Sequence, residues 1–165
     1  MSITVTDYIS INDKCEDLGF VVPTGVALLP SNFSDALSGD DCIYESNEAT
    51  VRILFRKANI PLCVIEPVGL IRKSESKKSL TWYGPVLFFA VSVVSENPDI
   101  IAVSLGVIAN YLTDFFRGVP GKHKIVLEIV TEKTKTKTTR KIRYEGDIEG
   151  LKNLPQSVLE EMNGN

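Results

Sequence analysis

The densest group of charged side chains in this 165-residue chain is TEKTKTKTTRKIRYEG, residues 131–146. It places six lysines and arginines within the eleven positions from Lys133 to Arg143. Clustered ammonium and guanidinium groups bind carboxylates or phosphates, and their binding to nucleic acid depends steeply on salt. Lysines and threonines also suit an exposed hairpin end, because they keep an open strand edge from aggregating. The stretch is therefore either a recognition surface or a solvated hairpin end.

The strands on either side of this stretch indicate which of its charges have local partners. A four-residue loop at 134–137 places the apolar residues of KIVLEIVTEK and TTRKIRYE on one face of a hairpin. On the other face, Glu128 then opposes Arg143, with Lys141 diagonal to Glu128. The pairs predicted by this register are Lys133–Thr138, Ile129–Ile142, Leu127–Tyr144 and Glu128–Arg143. The basic residues left without an acidic neighbour form the predicted interaction surface: Lys133, Lys135, Lys137 and Arg140. They include no aromatic residue to stack on single-stranded bases.

Other short patterns resemble enzyme or nucleotide-binding motifs, and each lacks an essential part. GVPGKHK has Phe116 where a phosphate loop needs its first glycine, and it leads from a helix into a strand rather than the reverse. SESK, residues 74–77, spells S-x-x-K without the further motifs of that enzyme class. A cysteine nucleophile would need His123, the only histidine, as its base. The sequence indicates no catalytic and no cofactor-binding residue, although an enzyme with two unidentified carboxylates stays an alternative.

The histidine, cysteine and acidic residues of the chain give little support to a metal site or a disulfide. One histidine and three dispersed cysteines argue against structural zinc. An acidic run lacks the order of a calcium loop and is interpreted as a solvated or helix-capping surface: Asp35, Asp40, Asp41, Glu45 and Glu48. No two of the three cysteines, Cys15, Cys42 and Cys63, form a C-x-x-C pair. This favours a protein kept in a reducing compartment, the cytoplasm.

Composition and charge predict a globular domain with an uneven charge distribution. The chain is 44% hydrophobic and 24% charged, enough to build an ordinary core. Residues 1–50 carry a net charge of −8, whereas residues 122–145 carry +5. Such a division favours a protein partner or self-association. We expect one domain over 1–165, in which the polar stretch 72–79 separates subdomains at 1–80 and 81–160.

Local patterns predict most of the helices and strands. Residues 3–11 alternate as a strand, and a helix begins after Ser46 and ends near Lys57, before Pro61. A second helix, apolar on most sides and therefore buried, spans about 98–117, with Asn97 as its cap. Asp147 is predicted to cap a last helix that Pro155 breaks or restarts.

Residues 85–95 fit two structures. Their valines and phenylalanines favour a buried strand, whereas Pro85 before an apolar run suits the start of a helix, which we slightly prefer. Polar and charged residues interrupt the apolar region that follows. We therefore expect no stable insertion into a membrane.

The segment from about Asn97 to Leu154 resembles a group of small prokaryotic proteins. It combines an apolar helix (NPDIIAVSLGVIANYLTDFFRG), a short turn, and a hairpin (KIVLEIV and TTRKIRYEG) that ends in Tyr-Glu-Gly at 144–146. This arrangement is similar to effector-associated constant components, which are encoded beside the effectors of bacterial conflict systems. The likeness covers about a third of the chain and includes no catalytic motif. It implies an accessory or adaptor role.

The predicted fold is an α+β single domain with a small N-terminal sheet, a buried apolar helix at about 98–117, and a C-terminal β-hairpin followed by a short helix. The expected function is that of a non-enzymatic accessory or protein-interaction module of a prokaryotic system, without a cofactor. Nucleic-acid binding through the basic hairpin tip, residues 133–140, is the alternative.

Overall fold

The chain forms two β-sheets and five α-helices in a computed structural model that describes residues 2–75, 80–121, 123–133 and 138–163. The strands are β1 (Ser2–Tyr8), β2 (Val26–Leu29), β3 (Ile43–Glu45), β4 (Lys73–Glu75), β5 (Trp82–Phe89), β6 (Ile125–Glu132) and β7 (Thr139–Gly146). The helices are α1 (Ile11–Leu18), α2 (Glu48–Lys57), α3 (Val91–Glu96), α4 (Asp99–Phe115) and α5 (Ile148–Asn163). The predicted α+β class is confirmed.

The main sheet has the strand order β1-β7-β6-β5-β2. β5 and β6 are parallel, and the other neighbouring pairs are antiparallel. Parallel strands need a long crossover, which α3 and α4 supply between β5 and β6. The predicted N-terminal strand exists as β1, but it extends this main sheet. β3 and β4 form the small sheet of the N-terminal half, and they pair in parallel.

Apolar layers cover both faces of the main sheet. One face packs against α2, α4 and α5, and its sheet residues include Leu87, Ile129 and Tyr144. The other face packs against α1 and the loops around Phe33, and it includes Phe88. Burial of each large apolar side chain contributes about 1.5–3 kcal/mol. β2, β5 and β6 each supply residues to both layers, and β5, which pairs with the other two, lies between them at the centre of the core.

The slight preference for a helix at residues 85–95 was wrong for the first half of that segment. Residues up to Phe89 belong to β5, and the helix α3 begins at Val91. Pro85 lies at a register irregularity of the β5–β6 pair between Tyr83 and Val86. A strand tolerates proline at such a bulge, because no ladder hydrogen bond is required there. Val86, Leu87 and Phe88 are all buried, so the strand lacks the alternation that would identify it.

The hairpin register and several helix boundaries are confirmed. Lys133 donates its backbone N–H to Thr138, and β6 and β7 pair Ile129 with Ile142 as predicted. Asp147 caps α5 through the backbone N–H of Gly150 at 2.8 Å.

Three local expectations were wrong. α5 continues through Pro155, because its buried residues at 151, 154, 158 and 162 pack on the sheet and offset the missing hydrogen bond. The predicted strand 3–11 ends at Tyr8, since Ser10 caps α1 by accepting the N–H of Asp13. Neither Ser46 nor Asn97 caps the helix that follows it.

Gly84, at the β5 bulge, should not accept a side chain. A Cβ atom there would lie 2.6 Å from Leu127 Cδ1 and 2.7 Å from the Trp82 ring. We expect Gly84→Ala to lower the free energy of unfolding by about 1–3 kcal/mol, since the core must shift to admit it. Urea denaturation followed by circular dichroism measures the change.

Gly106 in α4 is the matched control for Gly84. A Cβ atom added at Gly106 meets no atom within 4 Å, so Gly106→Ala should stabilise the helix by roughly 0.5–1 kcal/mol. Equal effects of the two substitutions would contradict close packing at the bulge.

Candidate interaction groove

A groove of about 420 Å³ lies between the C-terminal half of α2 and the extended segment that follows it. We call it the α2 groove and define it by the residues that line it: Arg52, Arg56, Asn59, Ile60, Pro61, Leu62 and Val64. Two arginines line it from the helix, and aliphatic side chains line it from the extended segment. A surface of this composition can bind a chain that carries both an apolar and an acidic side chain.

Asn59 positions the two walls of the groove. It follows the last turn of α2 with a φ of +60°, in the left-handed region that asparagine adopts more readily than most residues. The N–H of Ile60 then bonds to the carbonyl of Phe55 at 2.9 Å, which satisfies an end carbonyl of the helix. The chain thereby leaves the helix, and the extended residues that follow form the second wall of the groove.

The segment 61–65 lies along β2, the edge strand of the main sheet on this side. Leu62 forms a parallel bridge with Val26, and the N–H of Cys63 bonds to the carbonyl of Val26 at 2.8 Å. Backbone groups of successive residues in an extended chain point to opposite sides. Those of Leu62 and Val64 therefore point away from β2, and none of the described residues hydrogen-bonds to the backbone of Val64.

An ion-pair network holds this segment to α2 and the small sheet. Glu48 bonds to Arg52 one turn along α2 and to Arg72 at 2.9 Å. Arg72 also lies 3.1 Å from Glu66 and stacks 5.1 Å from the ring centre of Tyr44. The two carboxylate side chains are only 6% exposed, so pairing offsets a large desolvation cost.

Tyr44 completes the network as a hydrogen-bond donor. Its hydroxyl donates to Glu66 at 2.7 Å. Burial, together with that hydrogen bond, raises the pKa of Tyr44, so the hydroxyl keeps its proton at neutral pH. Tyr44 therefore helps to fix the loop that carries Glu66 against β3.

The network leaves Arg56 as an uncompensated charge in the α2 groove. Arg52 and Arg72 balance Glu48 and Glu66 within the network. Arg56 is exposed and forms no ion pair with any residue in the described parts of the chain. Its place in the last turn favours a cation, because helix carbonyls point toward it. The guanidinium can still present several N–H donors to an incoming carboxylate.

The predicted basic surface at the hairpin tip is only partly within the described residues. Lys133 is 12% exposed and lies 3.8 Å from Glu161 on α5, and Arg140 lies 3.2 Å from Asp7 on β1. The expectation that these two residues lack acidic neighbours was therefore wrong, since strand and helix partners distant in sequence approach them. Lys135 and Lys137 lie outside the described residues, and the role of the tip in binding stays a prediction.

The acidic run does not form one solvated surface. Glu45 and Glu48 are buried, and Glu48 joins the ion-pair network, whereas Asp35 and Asp40 are exposed. No pattern in the sequence predicts that Arg52 and Arg56 line a groove. The one available signal was the spacing of Glu48 and Arg52, which is typical of a helix ion pair.

His123 and two of the cysteines considered as nucleophiles, Cys15 and Cys42, pack against different parts of the fold, whereas Lys77 of the S-x-x-K pattern lies outside the described residues. His123 stacks on Phe116 with 4.2 Å between ring centres and lies 2.9 Å from the carbonyl of Val119. Cys15 and Cys42 lie in the apolar layer on the α1 face of the sheet. Burial raises the pKa of each thiol to about 11, which suppresses the reactive thiolate at neutral pH. No group of three or more potential metal ligands occurs in the described ranges.

Comparisons with protein-family models, curated proteins and solved structures found no match to this chain. In the parts of the chain that the structure describes, each helix is too short or too polar to span a bilayer.

Loss of Arg72 should destabilise the protein more than loss of a surface arginine. Arg72→Ala leaves Glu66 and Glu48 with fewer partners in a buried setting, and we expect a cost of roughly 1–3 kcal/mol. The control is Arg117→Ala, because Arg117 and Asp114 are 76% and 71% exposed and such pairs contribute about 0–1 kcal/mol. Urea denaturation compares the variants, and similar costs would contradict a structural role for the network.

The buried thiols should make folding sensitive to alkaline pH. Burial raises the pKa of Cys15 and Cys42 from 9.0 to about 11 in the folded chain. Their contribution to stability is complete below pH 9 and is lost as the pH rises toward 11, because only the unfolded thiols ionise in this window. Urea midpoints measured from pH 8 to 11 should fall less steeply for the Cys15→Ala/Cys42→Ala variant than for the wild type. Parallel profiles would contradict this assignment.

Proposed function

We propose that the chain is a non-enzymatic accessory protein that binds a segment of another protein in its α2 groove. The observation that carries this proposal is the charge of Arg56, which no described residue pairs with, in a groove that also exposes the aliphatic side chain of Val64. Val64 is 61% exposed although it lies in an extended segment against the sheet. Polar and apolar contacts so close together are typical of protein-recognition surfaces.

The exposed aliphatic side chains continue along the chain beyond the groove. Val68, Ile71 and Leu80 are all exposed in the region after Val64. Scattered exposed aliphatic residues are ordinary, but several in one connecting region supply apolar area for a partner. Within the groove itself, Arg56 and Val64 favour this site over the hairpin tip, where Lys133 and Arg140 already have acidic partners.

An accessory role agrees with the resemblance to effector-associated constant components, and we propose that the partner belongs to the same prokaryotic system. The uneven charge of the chain is compatible with this role, since a surplus cation attracts an acidic partner and raises the association rate.

Site-specific photo-cross-linking tests the proposal. A benzophenone amino acid in place of Val64 reports on the groove, and the same group in place of the exposed Val103 on α4 is the control. In lysate of the source cells, both untreated and nuclease-treated, the probe at Val64 should give a discrete cross-linked protein that the probe at Val103 does not give. Adding Arg56→Glu to the Val64 probe should abolish that product.

Three results would contradict the proposal. They are identical products from both probe positions, no protein product from Val64, or a product that disappears after nuclease treatment. The last result would instead favour nucleic acid as the bridging component.

A further inference from the structure

Resting on the proposed function, we infer that the occupant of the α2 groove is an extended acidic segment of a partner protein, which adds as a short strand beside residues 62–64. The inference depends on three properties of the groove: a strand edge to which no described residue hydrogen-bonds, a helix beside that edge, and a surplus of positive charge.

The unpaired edge is the first property. Residues 61 and 63 direct their backbone groups toward β2, as the bond from Cys63 to Val26 requires. Leu62 and Val64 therefore present two N–H and two C=O groups on the opposite side. Pro61 and Pro67 bound this edge, and proline supplies no N–H donor. An added strand can thus form up to about four backbone hydrogen bonds here.

The neighbouring helix is the second property. α2 runs beside the edge, so a strand added to Leu62 and Val64 lies between that edge and the helix side chains of Arg52 and Arg56. Several peptide-binding domains use this arrangement, in which backbone bonds to the edge give affinity and alternate side chains give specificity. Side chains on one face of the added strand would contact the aliphatic wall and the arginines.

The charge is the third property, and it defines the chemistry of the occupant. The network around Glu48 and Glu66 is neutral, so Arg56 adds a net positive charge to the groove. A basic segment would be repelled, and a neutral one would leave the guanidinium without a partner. A carboxylate on the added strand pairs with Arg56, and an aliphatic residue near it covers Val64.

Selection from random peptides tests the inference directly. A phage-displayed library of twelve-residue peptides is selected on the immobilised full chain, with removal of phage that also bind the Arg56→Glu chain. The enriched peptides should combine aspartate or glutamate with aliphatic residues. A fluorescent copy of the most enriched peptide should bind Arg56→Glu about ten-fold more weakly than the wild type. Lys57→Glu is the matched control, because it makes the same charge change outside the groove lining and should alter affinity less than about three-fold.

Backbone methylation distinguishes strand addition from other modes of binding. Only every second residue of an added strand hydrogen-bonds to the edge, and N-methylation removes the N–H donor. Two versions of the peptide are therefore made, one methylated at the odd positions and one at the even positions. Binding should be lost in one version and kept in the other. Equal loss with both sets, neutral or basic enriched peptides, or an absence of enrichment would overturn the inference.

The same assays separate the inference from the proposed function and from self-association. An Arg56-dependent cross-link at Val64 without peptide binding would overturn strand addition while the proposed function stands. If both experiments fail, the proposed function fails as well. If unlabelled wild-type chain at micromolar concentration displaces the fluorescent peptide, the occupant of the groove is a second copy of this chain. That result would overturn the assignment of a separate acidic partner.

Discussion

The burial of β5 on both of its faces is the constraint on which the rest of the fold depends. Leu87 faces α4 and α5, and the adjacent Val86 and Phe88 face α1 and its neighbouring loops. A strand of this kind needs an apolar layer on each side. Its parallel pairing with β6 also requires a crossover, and the apolar helix α4 supplies that connection together with much of one layer. The unusual apolar content of α4 is thus a consequence of the position of β5.

The same constraint produces the groove at one end of the sheet. β5 pairs on its other side with β2, a strand of only four residues, and the segment 61–65 covers the outer side of β2. This segment has no strand beyond it in the described parts of the chain. α2 lies beside it because Val51 and Phe55 are needed in the apolar layer. Core packing therefore brings a helix and a strand edge together, and the ion pairs of Arg72 fix their spacing.

The parts of the fold that could be predicted from sequence are those specified by nearby residues. The hairpin register follows from the alternation of apolar and polar residues along both strands. One register pairs Ile129 with Ile142 on the apolar face and Glu128 with Arg143 on the other face. β5 could not be assigned in this way, because a strand buried on both faces has no alternation. The eight-residue α1 was missed, although Ser10 and Gly19 mark its two ends.

The groove could not be predicted from the sequence, for a different reason. Its ion pairs join Glu48 to Arg72, 24 positions away, and no periodicity connects two such residues. Only the pair of Glu48 with Arg52 lies within one helix turn. Arg56 likewise looked like an ordinary basic residue at a helix end, and its role depends on which carboxylates the fold has already neutralised.

Density of charge along a sequence is a poor guide to the position of a binding surface. The hairpin is the most basic stretch of the chain, yet the described part of it holds Lys133, Lys141 and Arg143 within reach of Glu161 and Glu128. A paired charge contributes little to attracting a partner, because a carboxylate beside it cancels most of its field. Arg56 is a single cation, but the pairing within the neighbouring network leaves its field uncancelled beside an exposed aliphatic surface. Among the described residues, Arg56 thus combines an unpaired charge with an exposed aliphatic neighbour in one groove, and this combination, which only the folded chain defines, is the basis of the proposal for the α2 groove.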